Sequence, residues 1–264
     1  MLLELKMKPM KPKLSYPSIS VVTPSYNQGR FIEKTIDSVL RQDYPNFEHI
    51  IVDGGSSDQT LSVLRNHQHI DWVSETDSGQ SNAVNKGFHK ATGEIIAWIN
   101  SDDWYETGAF VAVADFFINY PQHSIVMGNC RLVDVAGTEI GQVFNHARGY
   151  KGLRRYWLPR AIPTQPAIFF KKHLLEKFGY LDESLHYAMD YDLWLRFAAS
   201  HEFYHLDRLV ANYRFHPGAK GGDRDWSKFQ PEWELVYNRY VSPPIKLLDV
   251  LSRLELKIHK RIFE

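Results

Sequence analysis

The 264-residue sequence predicts an α/β fold: an open, mostly parallel central sheet flanked by helices, with a small antiparallel element and a helical tail near the C-terminal end. Two observations carry the prediction. Short β-branched or wholly apolar runs alternate with segments whose apolar residues recur every three or four positions, which is the pattern of strand, crossover helix and parallel strand. Each of the first four runs also stops in acids, glycines, serines or asparagines, as expected where strands empty onto the carboxyl edge of a sheet.

Residues 19–23 form the first strand, closed by Pro24 and the turn Ser25, Tyr26, Asn27, Gln28 and Gly29. Phe31, Ile32, Ile36, Val39 and Leu40 then make one buried stripe of a helix that ends at residues 43–45. Residues 47–52 are the second strand, released into Asp53, Gly54, Gly55, Ser56, Ser57 and Asp58. The glycines would let backbone N–H groups approach an anion where the next helix begins. The plain alternative is a turn in which Ser57 or Asp58 caps that helix. Leu61, Val63 and Leu64 mark the second helix, and residues 70–74 a third strand running into Glu75, Asp77, Gly79 and Gln80. A third helix, residues 81–90, carries Asn82, Asn85 and Lys86.

The fourth strand organises the rest. Residues 95–99 are apolar throughout and too few for an ordinary helix, so they read as a strand buried on both faces, which breaks abruptly into Asn100, Ser101, Asp102 and Asp103. Two adjacent carboxylates delivered there are placed for a divalent cation or a ribose, whereas the bland reading has them cap a helix beginning near Thr107. Four successive strands discharging polar groups at one edge favour a composite site.

Residues 108–120 read as a helix, and residues 125–129 and 130–135 as strands with a turn at Ala136, Gly137 and Thr138 that implies antiparallel pairing. The Pro-broken, aromatic segment 157–166 is either a loop over a pocket or a rigid connector. A strand over 167–170 and a helix over 171–178, stopped by Gly179, follow. Asp190 and Asp192 fall in the first turn of a helix whose apolar face is Leu193, Leu195, Phe197 and Ala198; capping explains one acid, and the other is a candidate general base. A strand over 209–215 runs into His216, Pro217, Gly218, Lys220, Gly221 and Gly222, where a His and a Lys on a glycine-rich loop would meet a diphosphate or complete a metal shell, or else form an ordinary surface loop.

Thirty-one basic and thirty-one acidic residues leave no net charge, so no basic field draws nucleic acid, and an anionic ligand must be held locally. The single cysteine, Cys130, excludes an internal disulfide and a Cys-based zinc site and suits a reducing cytoplasm. Residues 1–17 read as a loosely ordered lead-in without the apolar core of a signal peptide, and no later run approaches the ~20 apolar residues of a membrane span. Residues 241–264 form an amphipathic tail with Lys246, Arg253, Lys257, Lys260 and Arg261 on its basic face. It packs on its own domain, or meets a second helix, a second copy or an anionic membrane surface.

Taken together, these motifs resemble a family 2 glycosyltransferase of the GT-A fold, nucleotide-sugar dependent and inverting. The resemblance spans about residues 18–220 and rests on residues 22–27, 38–42, 52–58, 77–80, 85–87, 100–103, 189–196 and 216–218. It implies a catalytic domain over 18–240, with a nucleotide-binding half (18–106) and an acceptor-side half (107–240). By position, Thr23, Pro24, Ser25 and Tyr26 would line the nucleoside pocket, Asp53 with Gly54 would read the base edge, and Asp77, Gly79, Asn85 and Lys86 would close the nucleotide site. Asp102 would hold the ribose, Asp103 would ligate Mn2+ or Mg2+ with His216 completing the shell, and Asp190 would be the base. Met189 stands where the family carries Glu before that Asp, so Asp192 remains an alternative base; Asn100 stands where many relatives carry Asp. The implied partners are a nucleotide-sugar donor and a saccharide or lipid-linked saccharide acceptor, at a cytoplasmic location or the inner membrane face. The rival readings are a nucleotide-binding scaffold without chemistry and a glycoside hydrolase, which needs two carboxylates flanking one bond.

Overall fold

The computed structural model describes residues 16–250 apart from residues 147, 159, 160, 223 and 224. β1 (Ile19–Ser25), β2 (Phe47–Asp53), β3 (Asp71–Ser74) and β4 (Ile95–Trp98) lie parallel in the order β3-β2-β1-β4, joined by α1 (Ile32–Leu40), α2 (Thr60–Arg65) and α3 (Gln80–Lys90). Ser25 pairs with Asp53 and Asp53 with Ser74, so the carboxyl ends of three strands come level. Alternation along β4 sends Ile96 and Trp98 into one core with Val22, Val84 and Phe88, and Ile95, Ala97 and Ile99 into another with Phe110 and Val113. Each aliphatic buried this way contributes about 1.5–3 kcal/mol, which is why an apolar run is needed at a strand covered on both sides. At Gly87 a Cβ would lie 2.3 Å from Val22 Cγ1, so only glycine lets α3 settle against β1.

The sheet continues through β8 (Ile168–Lys171), β6 (Ile125–Val133), β9 (Tyr204–Arg214) and β5 (Trp104–Tyr105), with β7 (Glu139–Val143) paired to β6 as a hairpin. β8 is antiparallel to both β4 and β6, while β9 runs parallel to β6 and antiparallel to β5. The antiparallel component thus reaches beyond the hairpin that the turn at residues 136–138 predicted. Further helices are α4 (Ala109–Asn119), α5 (Tyr150–Leu153), α6 (His173–Phe178), α7 (Met189–Ala198) and α8 (Gln230–Tyr240), with short 3-10 turns at Gln165–Ala167 and Trp226–Lys228.

Some local expectations change. Residues 125–133 are one strand rather than two; the sequence break at Asn129 and Cys130 corresponds to a register shift against β9. Leu40, the last residue of α1, is 48% exposed and leaves the predicted stripe. Asp102 and Asp103 cap nothing: α4 starts at Ala109, its N-cap is Gly108 at φ +75°, no side chain caps it, and β5 intervenes. Residues 243–250 are helical, and Asp249, fully buried, receives both Arg154 (2.8 and 3.0 Å) and the Tyr237 hydroxyl (3.2 Å). That anchorage packs the tail's beginning on its own fold, while residues 1–15 and the basic positions Arg253, Lys257, Lys260 and Arg261 lie outside the described residues. Among the described residues no helix is long and apolar enough to cross a membrane.

Candidate active site

The carboxyl ends of β1, β2 and β4 open onto a cavity of about 510 Å3 lined by Pro24, Ser25, Tyr26, Gly54, Asp102 and Asp103, among others. The loop after β4 is tied down before any ligand arrives. Thr35 of α1 donates its hydroxyl to the carbonyls of Ser101 (3.0 Å) and Asp103 (2.6 Å), and Arg214 at the end of β9 donates Nε to the Asp102 carbonyl (2.9 Å). The Arg214 guanidinium lies between the Phe31 and Trp104 rings, 4.7 Å from each centroid. Asp103 is 1% exposed; its Oδ1 accepts the Arg214 backbone N–H (2.8 Å), and its Oδ2 has no partner. Burial, with the Asp102 charge beside it, raises its pKa well above the ordinary carboxylate range.

An orphaned carboxylate oxygen next to a second carboxylate is the environment a hard divalent cation relieves. Asp102 and Asp103 therefore fit Mg2+ or Mn2+, though among the described residues no group of three or more metal-ligating side chains is assembled. The remaining ligands would have to be phosphate oxygens and water, the usual company of Mg2+.

A second cavity, about 760 Å3, adjoins the first, and Tyr213 lines both. Asp190 stands in its wall, in the first turn of α7, and burial pushes its carboxyl up to about 6. Burial drives the Tyr213 hydroxyl far above the ordinary phenol range, and the charges of Asp103, Asp102 and Asp190 add to it. Lys220 lines the first cavity, donates to the His186 carbonyl, and is pulled down to about 8 by burial against the opposing pull of Asp190 and Glu232. Glu232 of α8 accepts the backbone N–H groups of His186, Tyr187 and Ala188 at 2.7–3.0 Å, which fixes the segment entering α7 and so the position of Asp190.

Of the predicted nucleotide-binding residues, Pro24, Ser25, Tyr26, Gly54, Asp77, Gly79 and Asp102 share the first cavity with Asp103. Tyr26 is 63% exposed there, Ser25 Oγ is buried without a partner, and Asp77 Oδ1 accepts the Gly79 N–H (2.9 Å). The others are held elsewhere. Thr23 is fully buried and bonded to His49 Nε2 (2.9 Å). Asp53 is also fully buried, and its carboxylate is taken up by the Gly55 and Ser56 N–H groups and the Ser56 and Ser74 hydroxyls, so it braces its own loop instead of presenting an edge to a base. Asp58 accepts the N–H of Thr60 (2.9 Å), but the N-cap of α2 is Gln59, without a side-chain cap, and not Ser57 or Asp58 as the turn reading had it. Asn85 binds the backbone of Leu181 and the carboxylate of Glu183, and Lys86 pairs with Glu75 at 2.6 Å.

His216 takes the Gly218 N–H on Nδ1 (3.2 Å) and so donates Nε2–H to Asp102 (2.9 Å); it orients that carboxylate and has no nitrogen free for a metal in this arrangement. Asp192 is 1% exposed and bound by Arg196 (2.8 Å) and the Tyr240 hydroxyl (2.9 Å) and lines neither cavity, whereas Asp190 does line one. Sequence reasoning missed Tyr213, Glu232 and the aromatic residues Trp226, Phe229 and Trp233. The three- and four-residue spacing of that aromatic set was the one available signal.

With this geometry described, comparison with known proteins places the molecule. Residues 20–179 match Glycosyl transferase family 2. An uncharacterised glycosyltransferase of Rickettsia typhi is 28% identical over 223 residues, covering 78% of this chain and 67% of that protein. Chondroitin synthase of Escherichia coli is 26% identical over 204 residues, covering 76% of this chain but 29% of that enzyme. Among solved structures, S. aureus TarS 1–349 in complex with UDP-GlcNAc superposes with a TM-score of 0.61 at 21% identity, covering 76% of this chain and 60% of that one. The mannosyltransferase PcManGT of Pyrobaculum calidifontis, in complex with GDP-Man and Mn2+, gives 0.59 at 21% identity, covering 80% of this chain and 61% of that one. The fold is thus the GT-A fold of glycosyltransferases. The chain belongs to glycosyl transferase family 2 and is a transferase enzyme.

Proposed function

We propose that the chain is an inverting glycosyltransferase that moves a sugar from a nucleoside diphosphate, UDP foremost, to a hydroxyl of a saccharide or lipid-linked saccharide. The observation that carries this reading is the pair of adjoining cavities meeting at Tyr213, with Asp102 and Asp103 on one and Asp190 on the other. UDP-GlcNAc, UDP and GDP-Man bound to proteins of this fold support a sugar-nucleotide donor. Relatives named for chondroitin synthesis and teichuronic acid biosynthesis support a role in cell-surface polysaccharide or glycolipid assembly.

The nucleoside diphosphate would lie along Pro24 to Tyr26, Gly54, Asp77 and Gly79, with the Tyr26 ring available to a base and Lys220 to the diphosphate. Asp103, with Asp102, would hold Mn2+ or Mg2+, which when bound supplies Lewis-acid stabilisation of the departing diphosphate charge. Asp190 accepts the proton of the acceptor hydroxyl as that oxygen bonds to the anomeric carbon; the carbon–phosphate-oxygen bond breaks and its electron pair leaves on the diphosphate. One such displacement inverts the anomeric centre. A single catalytic unit over residues 18–240, a cytoplasmic location and peripheral contact with membrane or a second copy through the tail belong to the same proposal.

A thermal-shift screen of nucleoside diphosphates and their sugars with Mn2+, followed by assay of donor turnover, tests it. Stabilisation by UDP plus Mn2+ with slow donor hydrolysis is expected. Stabilisation without turnover under any acceptor would reduce the chain to a nucleotide-binding scaffold, and stabilisation by free sugars alone would favour hydrolase chemistry.

A further inference from the structure

A chain of hydrogen bonds leads from the C-terminal tail to Asp190. Asp249, on the helical segment 243–250, is fully buried: its Oδ2 accepts Arg154 Nε (2.8 Å) and the Tyr237 hydroxyl (3.2 Å), and its Oδ1 accepts Arg154 Nη2 (3.0 Å) and Arg155 Nε (3.3 Å). Burial works against a charge there, but these bonds hold the carboxyl below its ordinary range, so it is ionised at neutral pH. The pairing fixes the backbone at Arg154, whose carbonyl accepts the hydroxyl of the buried Tyr191 (3.2 Å). Tyr191 in turn donates its backbone N–H to Asp190 Oδ1 at 2.7 Å. Arg154 and Arg155 also lead into the Pro-broken loop that walls the Asp190 cavity, and the centroids of Tyr156 and Trp157 lie 6.0 and 5.6 Å from that of Tyr237. A buried ion pair is a weak source of net stability, since apolar residues of similar volume often serve as well; what these directional bonds add is a fixed geometry.

We infer that Asp249 and Tyr191 are positioning residues for Asp190, so that the start of the tail is a working part of the acceptor side. The catalytic unit then runs past residue 240 to at least Asp249. The inference rests on the transferase reading and adds to it how the base is held. Both residues act through the first turn of α7: the tail carboxylate sets Arg154, Arg154 sets the Tyr191 ring, and the Tyr191 N–H sets the direction in which the Asp190 carboxylate points.

The test uses the full chain carrying Asp249→Asn, Tyr191→Phe or both. Amide hydrogen exchange reads the link and needs no donor: exchange at residues 188–192 is expected to rise about fivefold in Tyr191→Phe and about tenfold or more in Asp249→Asn, while residues 95–103 stay as in the parent. Turnover of UDP-GlcNAc, UDP-glucose and GDP-mannose with Mn2+, water serving as acceptor, reads the function. For the donor that the parent turns over, kcat is expected to fall about tenfold in each single variant at constant donor KM, and the double variant is expected to fall no further than the lower single. A role in stability alone would lower the unfolding midpoint and leave kcat intact at temperatures below it. Intact kcat in the single variants overturns the inference, as does unchanged exchange at residues 188–192, or kcat losses that multiply in the double variant. Tyr191→Phe, which removes one oxygen, decides the matter where Asp249→Asn fails to fold. Absence of turnover in the parent with all three donors counts against the transferase reading, and the exchange measurement then judges the link by itself.

Discussion

The two adjoining cavities are made by opposite means. The cavity beside Asp102 and Asp103 is assembled largely from polar groups at the ends of parallel strands, where paired registers bring Ser25, Asp53 and Ser74 level. The Asp190 cavity is walled by aromatic and aliphatic side chains, chiefly from the Pro-broken loop and from residues 226–233, far apart in sequence. A diphosphate needs many small donors on a rigid rim and a sugar ring a few broad faces, so under the proposed function each cavity would offer its ligand suitable material. The first half is fixed by strand ends and the second by long-range packing, and variants should separate the two.

The largest effect is expected from Asp103→Ala, which removes metal-dependent turnover altogether; a Mn2+ titration of the initial rate that still saturates in the variant would take the metal away from this residue. Asp190→Asn should lower transfer by about 10^2–10^4-fold while donor affinity stays unchanged. Equal loss of donor affinity would mean that the two cavities do not divide the work as described.

The pH dependence sharpens the division. Asp190, raised to about 6, must be ionised to accept a proton, and Lys220, lowered to about 8, must keep its proton to meet a diphosphate. The rate constant kcat/KM is therefore expected to rise through about 6 and fall through about 8, with the acid limb absent in Asp190→Asn. Stability moves the other way. A carboxyl whose folded pKa exceeds the unfolded value of about 4 favours the fold while protonated and loses that contribution as pH rises. Asp190→Asn should thus stabilise the protein at pH 8 by at most about 3 kcal/mol, an advantage that vanishes below pH 4, as read from unfolding midpoints at both values.

On the aromatic side, Asp249→Ala leaves Arg154 buried without its partner and should cost about 3 kcal/mol in chemical denaturation without altering UDP binding. The smallest effect belongs to Glu232. Replacement by Gln keeps an acceptor for the three N–H groups of residues 186–188 and should preserve kcat, whereas Ala leaves them unmet and should lower kcat several-fold at constant donor KM. Equal behaviour of the Gln and Ala variants would remove Glu232 as a positioning residue.

The parallel half was legible because its signals are local. Apolar runs, the acids that end them and the helical stripes between them can each be read within about ten residues. The separate strand at 130–135 was misread because a register shift inside a strand looks like a strand end when the partner is unknown. The roles given to Thr23, Asp53, Asn85, Lys86 and His216 failed to reach the cavity for a related reason: side chains beside a ligand-binding rim are also those that brace it.

By itself the sequence determined that four strands deliver polar groups to one edge and that Asp102 and Asp103 lie just beyond a fully buried strand, because burial and periodicity are properties of neighbouring residues. Only the tertiary structure set Asp190 in a cavity wall and Asp192 against Arg196 and Tyr240. Two positions on a helix point about 200° apart, and which side meets a cavity depends on where the helix packs. The tertiary structure alone also brought Trp233 against Tyr156, stacked Trp226 on Trp233 and set Glu232 against the segment entering α7, since contacts between distant segments leave no trace in local pattern.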